Sequence, residues 1–320
     1  MNDEHDVVVI GGSLAGAACV RELARFGVDA IALERDRFPR PKVCGGFLSP
    51  GAVRALEHLR LLNELISAGA VHVRSARIRA CGCELEVPFA SCALGVSRNV
   101  LDEIVARGAR VLQGHIVREV RRCNGGFVVD GMVCRVVIDA SGKLGRFTKR
   151  RQANEFGVQY SEPRTRSDVL DFWFFEDGYG GGVSVEGGHS NWCFLINRSG
   201  LRRYLDRGDC LVTGPLAYDK LPGEFIAIGD AAGMVDPFCG EGMRHALESG
   251  ICAARVVSAG LRRHASYEEM KWQYEAEWER RWGLKRVLGT MVREKLLPHP
   301  RLFSTMLRKI PAWLTNRLWG

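Results

Sequence analysis

The chain has 320 residues, is 46% hydrophobic and carries a formal charge of +8. That is enough apolar material for a large buried core, in one big domain or two interleaved ones. Thirteen Lys/Arg against six Asp/Glu in residues 261–320 account for nearly all of the charge, and the absence of a basic, aromatic-interleaved module argues against a nucleic-acid partner. In chain order, Asp6–Ile10 is a short β-branched run of the kind that fills a buried parallel strand. Gly11-Gly12-Ser13-Leu14-Ala15-Gly16 follows, and a helix is predicted from Leu14 to about Phe26 with Gly27 at its C-cap. Residues 29–34 (DAIALE) read as a second strand that ends on an acid.

This strand–turn–helix–strand is a dinucleotide layout. Gly11 permits the tight turn, Gly16 permits close helix–strand packing, and the helix start faces a pyrophosphate with free N–H groups and its positive dipole end. Glu34 falls 23 residues after Gly11, where a carboxylate can accept both ribose hydroxyls of an adenosine. Gly12, Leu14, Ala15 and the adjoining Arg35 are counted with these contacts. Ser13 stands where the second glycine of the motif belongs. An acid at 34 disfavours a 2′-phosphate, which leaves FAD or NAD.

A second glycine-rich unit decides between them. Glu224–Ile228 is predicted as a strand ended by Gly229-Asp230. The chain turns back through Pro237, and Gly240-Glu241-Gly242 opens a helix carrying Met243, Ala246, Leu247, Gly250, Ile251 and Ala254 on one face. An Asp at a strand end can accept from the hydroxyls of a ribityl chain. A glycine-flanked helix start can support negative charge on a reduced flavin. NAD offers no such second anionic end, so the expected cofactor is FAD.

These residues carry a family resemblance. GDAAGMVDPFCGEGMRHAL (229–247) resembles the second flavin motif of the para-hydroxybenzoate hydroxylase-like flavoproteins. SRNVLDEI (97–104) is similar to that family's Arg-containing helix start, which implies Arg98 near the pyrophosphate or ribityl chain. VVIDASGKLGRF (136–147) resembles its Asp-Gly motif, which implies Asp139, Ala140 and Gly142 near the pyrophosphate, with Gly145 where Ser is commoner. FPRPKVCGGFLSPGAVRAL (38–56) is similar to the PxxxCGG stretch of the geranylgeranyl reductase branch, which implies that Cys44, Gly45 and Gly46 pass close to the isoalloxazine ring, with Lys42 of the same segment among the cofactor contacts. GYGGGVSVEGGHSNWCFLI (178–196) is similar to the branch's substrate-domain strand pair. The implied fold is α/β: a Rossmann-type FAD-binding domain (1–70, 98–156, 216–260) interleaved with a smaller antiparallel β-sheet substrate domain (71–97, 157–215), then a C-terminal helical region (261–320).

Within the substrate region, Val71–Val87 and Val169–Asn197 alternate apolar and polar residues as antiparallel strands do. The aromatics of 171–175 and 191–195 are either core or the apolar wall of a pocket above the flavin. Gly178–Gly182 is expected to form a turn. Cys44 is either a small buried hydrophobe or a residue lining the ring; with no His partner in sequence it is not assigned as a nucleophile. Residues 266–320 read as amphipathic helices holding Trp272, Trp278, Trp282, Trp313 and Trp319, packed on the body or, alternatively, presenting an interfacial patch to a membrane.

Eleven scattered cysteines without a CxxC pair point to reduced thiols in a cytosolic protein, and no metal site is expected. No signal peptide or spanning segment is visible. With no Ser-His-Asp order or paired carboxylates, the flavin would carry the chemistry. The sequence leads to an FAD-dependent oxidoreductase, of monooxygenase type, reduced by NAD(P)H docking transiently and acting on an apolar or aromatic small molecule. Reduction of prenyl double bonds is the alternative, and a flavin-binding protein without turnover the other class. The oligomeric state is left open.

Overall fold

The computed structural model describes residues 4–143, 154–216, 218, 223–235 and 240–296. The expectations for Pro237, Gly145, Trp313 and Trp319 lie outside them. The chain begins with β1 (Glu4–Ile10), α1 (Leu14–Arg25) and β2 (Ala30–Glu34), then β3 (Phe47–Leu48), α2 (Pro50–His58) and α3 (Leu62–Ser67). A hairpin of β4 (Val71–Ala80) and β5 (Cys83–Gly95) leads to α4 (Arg98–Ala106), β6 (Val111–Gln113), β7 (Val120–Cys123), β8 (Gly126–Val129) and β9 (Met132–Asp139). Then come β10 (Glu155–Pro163), β11 (Val169–Phe175), β12 (Gly178–Val185), β13 (His189–Asn197), α5 (Arg198–Leu205) and β14 (Leu211–Thr213). The chain returns through β15 (Ile226–Ala227) to α6 (Gly242–Arg262), α7 (Tyr267–Trp278) and α8 (Leu284–Met291).

The first sheet has seven strands. Its parallel part is β6-β2-β1-β9, with β15 on the far end of β9 and the β7–β8 hairpin on its near end. Val7, Val8 and Val9 are fully buried because both faces of β1 are covered. One face packs with α1, α6 and α7 residues, the other under Phe127 and Phe225. Strand order reverses at β1: β2 lies on one side and β9 on the other. In open parallel sheets that reversal leaves a crevice at the carboxyl ends of the strands.

The second sheet runs β14-β10-β13-β12-β11-β4-β5-β3. It differs from expectation in one respect: it is antiparallel save for the parallel pair β11–β4. It has eight strands. It gains a strand because Phe47-Leu48, just beyond Gly45 and Gly46, pairs with Gly95 and Leu94. The expected turn at 178–182 is also corrected: these residues begin β12, in the middle of the sheet. A Cβ at Gly182 would lie 2.1 Å from the Trp192 ring, one at Gly181 1.9 Å from the Asp171 carbonyl oxygen, and one at Gly180 2.3 Å from that of Cys193. The glycines make room for neighbours, not for a reversal. The expected strand 224–228 shortens to Ile226–Ala227.

Candidate functional site

The crevice is lined first by the β1–α1 turn. Gly11 has φ +103°, and a Cβ there would lie 2.4 Å from the Ala140 carbonyl oxygen; one at Gly16 would lie 1.8 Å from the carbonyl oxygen of Gly11. A Cβ at Gly12 would strike Val111 of β6. Only glycine lets the turn, β9 and α1 come this close. At the end of β2, the buried Glu34 carboxylate accepts from the Gly12 N–H at 2.8 Å and the Asp36 N–H at 3.0 Å. Arg35 does not join it: its side chain is 64% exposed and pairs with Asp36.

How the helices start is the next clue. The first N–H groups of a helix have no partner within it. Ser49, Ser97, Asn197 and Ser266 cap α2, α4, α5 and α7 through their side chains. α1 and α6 begin without any side-chain cap, as do the six-residue α3 and α8, which continues a helical turn. Of these, α1 and α6 are the starts that belong to the two glycine-rich units read from the sequence. Free N–H groups at a helix start form a ready anion site.

Ser13 explains the departure from the glycine motif. Its hydroxyl does not cap α1; it donates to Asp102 of α4 at 3.2 Å and accepts from Arg98 at 2.9 Å. Arg98 in turn holds Asp102 at 2.7 Å, with both side chains buried. Burial works against the Arg98 charge, but Asp102 overrides it and keeps the guanidinium firmly protonated. The Arg40 guanidinium approaches Asp102 at 3.7 Å. This network ties the start of α1 to the start of α4.

On the other side of β1, the Asp139 carboxylate accepts from the Ser141 N–H at 2.9 Å, and the Asp139 carbonyl oxygen from the Ile228 N–H at 2.8 Å. Ala140 donates its N–H to the Ile10 carbonyl, and Gly142, at φ +80°, has open space around it. Gly229 sits against Ala15 and donates its N–H to the Ser249 hydroxyl at 2.8 Å. Asp230 follows in a single 3₁₀ turn. The amines of Lys42 and Lys143 feel its charge. Burial, aided by the Arg98 cation, pushes the Lys42 amine down to about 8, with Asp102 and Asp230 opposing; burial also lowers that of Lys143.

The start of α6 divides its residues. Gly240 has φ +64° and lies against Phe47, and Gly242 is open. Glu241 is buried and pairs with Arg244 at 2.9 Å and Lys285 at 3.4 Å. Met243 and Leu14 send their side chains into the core with Leu48, Leu56 and Leu94, so only their backbone could meet a ligand.

The Cys44–Gly46 strip is held to the second sheet. The Cys44 N–H donates to the Gln159 side chain at 2.9 Å, and its carbonyl accepts from Asn191 at 2.8 Å. Gln159 and Asn191 also bond to each other at 2.6 Å. Gly46, at φ +75°, is hemmed in by Asn191 and Val96, whereas Gly45 has nothing within 4 Å of a Cβ. Cys193, two residues after Asn191 on β13 and across from Gln159 on β10, is a thiol pushed up to about 12 by burial and by Cys44. The aromatics sort by strand alternation. Trp173, Phe175, Trp192 and Phe194 pack together on one face, while Phe172, Phe174 and Tyr179 share the other with Phe47, Leu216, Tyr218 and Met234. Only the second set adjoins the glycine strips at 45–46 and 229–233.

Asp102, Lys143, Cys193, His245 and Ser249 escaped the sequence reading. Asp102 had a signal: it lies one helical turn after Arg98. The others acquire neighbours only through the tertiary fold.

The crevice is therefore lined by two uncapped helix starts, a buried carboxylate at one end, several cations and an open glycine. It suits a long ligand with anionic groups in its middle and at one end, and FAD has that build. Comparison with known proteins agrees. Residues 4–155 match the FAD binding domain family. The fold and the site together define an FAD-dependent oxidoreductase of the para-hydroxybenzoate hydroxylase-like superfamily. A menaquinone reductase of Mycobacterium tuberculosis is 31% identical, the match covering 81% of this chain and 78% of that one. A digeranylgeranylglycerophospholipid reductase of Thermoplasma acidophilum is 25% identical over 92% and 88% of the two chains. Among solved structures, a geranylgeranyl bacteriochlorophyll reductase-like protein of T. acidophilum superposes with TM-score 0.75 at 21% identity, covering 100% of this chain and 91% of that one. A flavin-dependent brominase superposes with TM-score 0.82 at 17% identity over 99% and 94%. The chain belongs to this family, in its geranylgeranyl reductase-like branch.

Proposed function

We propose that this flavoenzyme saturates a carbon–carbon double bond in the isoprenoid chain of a lipid. The observation that carries the reading is the strip Cys44-Gly45-Gly46, anchored by Gln159 and Asn191 and open at Gly45, beside the apolar face of Phe47, Phe174, Tyr179 and Met234. That face offers an apolar chain a wall. The relatives named above support it: menaquinone and a digeranylgeranyl phospholipid both carry isoprenoid chains. Oxygen insertion on an apolar or aromatic metabolite is the second reading, favoured by the fold shared with flavin-dependent oxygenating and halogenating enzymes.

In this reading the N–H groups of Ser13 and the rest of the α1 start would hold the pyrophosphate, with Gly11 and Gly16 letting them approach, while the Gly12 N–H stays on Glu34. Glu34 accepts from the ribose, and Arg98, kept in place by Asp102 and Ser13, lies beside the phosphates with Lys42. Asp139, Ala140 and Gly142 close that side. Asp230 would accept from the ribityl hydroxyls. The N–H groups of Gly240–Met243 would serve the pyrimidine side of the ring, and Gly45 would leave room for it. FAD held here in its reduced form would supply the hydride that saturation needs, with a proton completing the second C–H bond, and an external hydride donor such as NAD(P)H, with a proton from solvent, would restore the reduced form. The protein orients the chain and keeps water away from it.

Anaerobic reduction tests the reading. The purified protein is expected to be yellow, to bleach with NADH or NADPH without air, and then to regain colour while a polyprenyl lipid gains two hydrogens per turnover. Oxygen-dependent donor consumption with a hydroxylated product would instead favour the second reading. Glu34→Lys is expected to purify colourless; full flavin content in that variant would remove Glu34 from the site.

A further inference from the structure

No helix among the described residues is long and apolar enough to cross a membrane, yet one helix presents a bare apolar face. α7 continues through a π-helical turn at Glu279–Gly283 into α8. The first half packs inward: Met270, Tyr274, Trp278 and Trp282, each four residues apart, are buried in the core. The second half does the opposite. Leu284 is 72% exposed, and Val287, Leu288 and Met291 about half or more. Lying three, four and seven residues after Leu284, Val287, Leu288 and Met291 fall with it in one stripe along α8. The exposed Arg281 precedes the stripe, and Lys295 lies beyond it. From residue 284 to the end the sequence holds eight Lys/Arg and one acid. An apolar stripe in a strongly cationic segment complements an anionic surface that is apolar just beneath.

We infer that the Leu284–Met291 face of α8 docks the enzyme onto an anionic lipid bilayer. The helix is fixed beside the crevice: Lys285 pairs with Glu241 just before α6, and Arg293 pairs with Glu155 at 3.6 Å and stacks on Tyr218. Docking here brings the Tyr218 and Leu216 side of the apolar cluster toward the lipid, where an isoprenoid chain resides. This purpose rests on the proposed lipid substrate; the docking itself is measured without turnover.

The test is sedimentation of the full-length protein with vesicles of phosphatidylcholine alone, or of phosphatidylcholine with phosphatidylglycerol, at low and high salt. Binding is expected on the anionic vesicles, weakening with salt. The double variant Leu284→Ser, Leu288→Asp should bind about tenfold more weakly or worse, from the loss of two buried leucines. Lys295→Glu should weaken binding to anionic vesicles specifically. Both should keep the parent melting temperature. Unchanged binding in the double variant, or equal binding to both vesicle types, overturns the inference. So does a drop in melting temperature for the leucine variant, which would show that the face is covered by the chain itself. A protein that binds anionic vesicles but holds no FAD would sink the flavoenzyme reading and leave this one standing.

Discussion

Lys42 shows how burial makes one side chain report on a ligand. Its amine sits among Arg98, Asp102 and Asp230, and burial drops it to about 8. In the free protein that amine gives up its proton more readily than an ordinary lysine. A phosphate placed beside it would favour the charged form and draw a proton in. The sign follows: FAD affinity should be full below about pH 8 and fall as pH rises above it, up to the higher value of the complex. Titrating the stripped protein with FAD at pH 7 and pH 9.5 measures this. Lys42→Gln should bind FAD more weakly at pH 7 and lose most of the pH slope. A slope undiminished in that variant would place Lys42 away from the phosphates.

At the scale of elements, the cofactor crevice depends on how closely α1 and α6 cross. A Cβ on Gly250 would lie 2.3 Å from the Ala15 carbonyl oxygen and 3.2 Å from the Cys19 nitrogen. Both obstacles are backbone, so neither can swing aside. Gly250→Val should cost about 2–3 kcal/mol of stability and, by shifting the start of α1, loosen FAD as well. Gly250→Ala should show a smaller loss in the same direction. Urea unfolding and flavin retention read the two effects, and a valine variant of parent stability would contradict the packing. This element also shows what sequence can convey. The β1–α1–β2 unit was legible because its signals are local: a β-branched run, glycines at fixed spacing, a terminal acid. Gly250 fell on the expected apolar face of α6, but its partner carbonyl lies more than two hundred residues away in sequence. The β12 glycines misled although their partners are near in sequence, because nothing near 180–182 indicates that Trp192 of the next strand lies across them. Arg98 could be read from its helix start, whereas the use of Ser13 as its anchor required α1 and α4 to meet.

Across the whole molecule, one buried residue joins the cofactor crevice to the C-terminal helices. His245 of α6 is fully buried, accepts from the Trp278 indole N–H at 3.0 Å, and meets the Trp278 and Trp282 rings edge-on. That bond requires a bare Nε2, so the imidazole is neutral. Burial pushes it down to about 4, although Asp230 pulls the other way. A histidine lowered in the folded state adds stability above its unfolded value, near 6.5, and that stability drains away as pH falls toward 4. The amount at stake is on the order of 3 kcal/mol. His245→Gln retains an acceptor for Trp278 without titrating. It should therefore resist acid better than the parent between pH 6.5 and 4, even if it starts less stable at pH 7. Some acid sensitivity will remain, since Arg255 and His58 hold the Glu22 carboxyl below its ordinary range against the effect of burial. Thermal melts across this range decide the matter. Because α7 packs on α6, acid should release flavin from the parent over the same window and less from the variant. An identical acid limb in both proteins would mean that His245 does not couple the helices to the crevice.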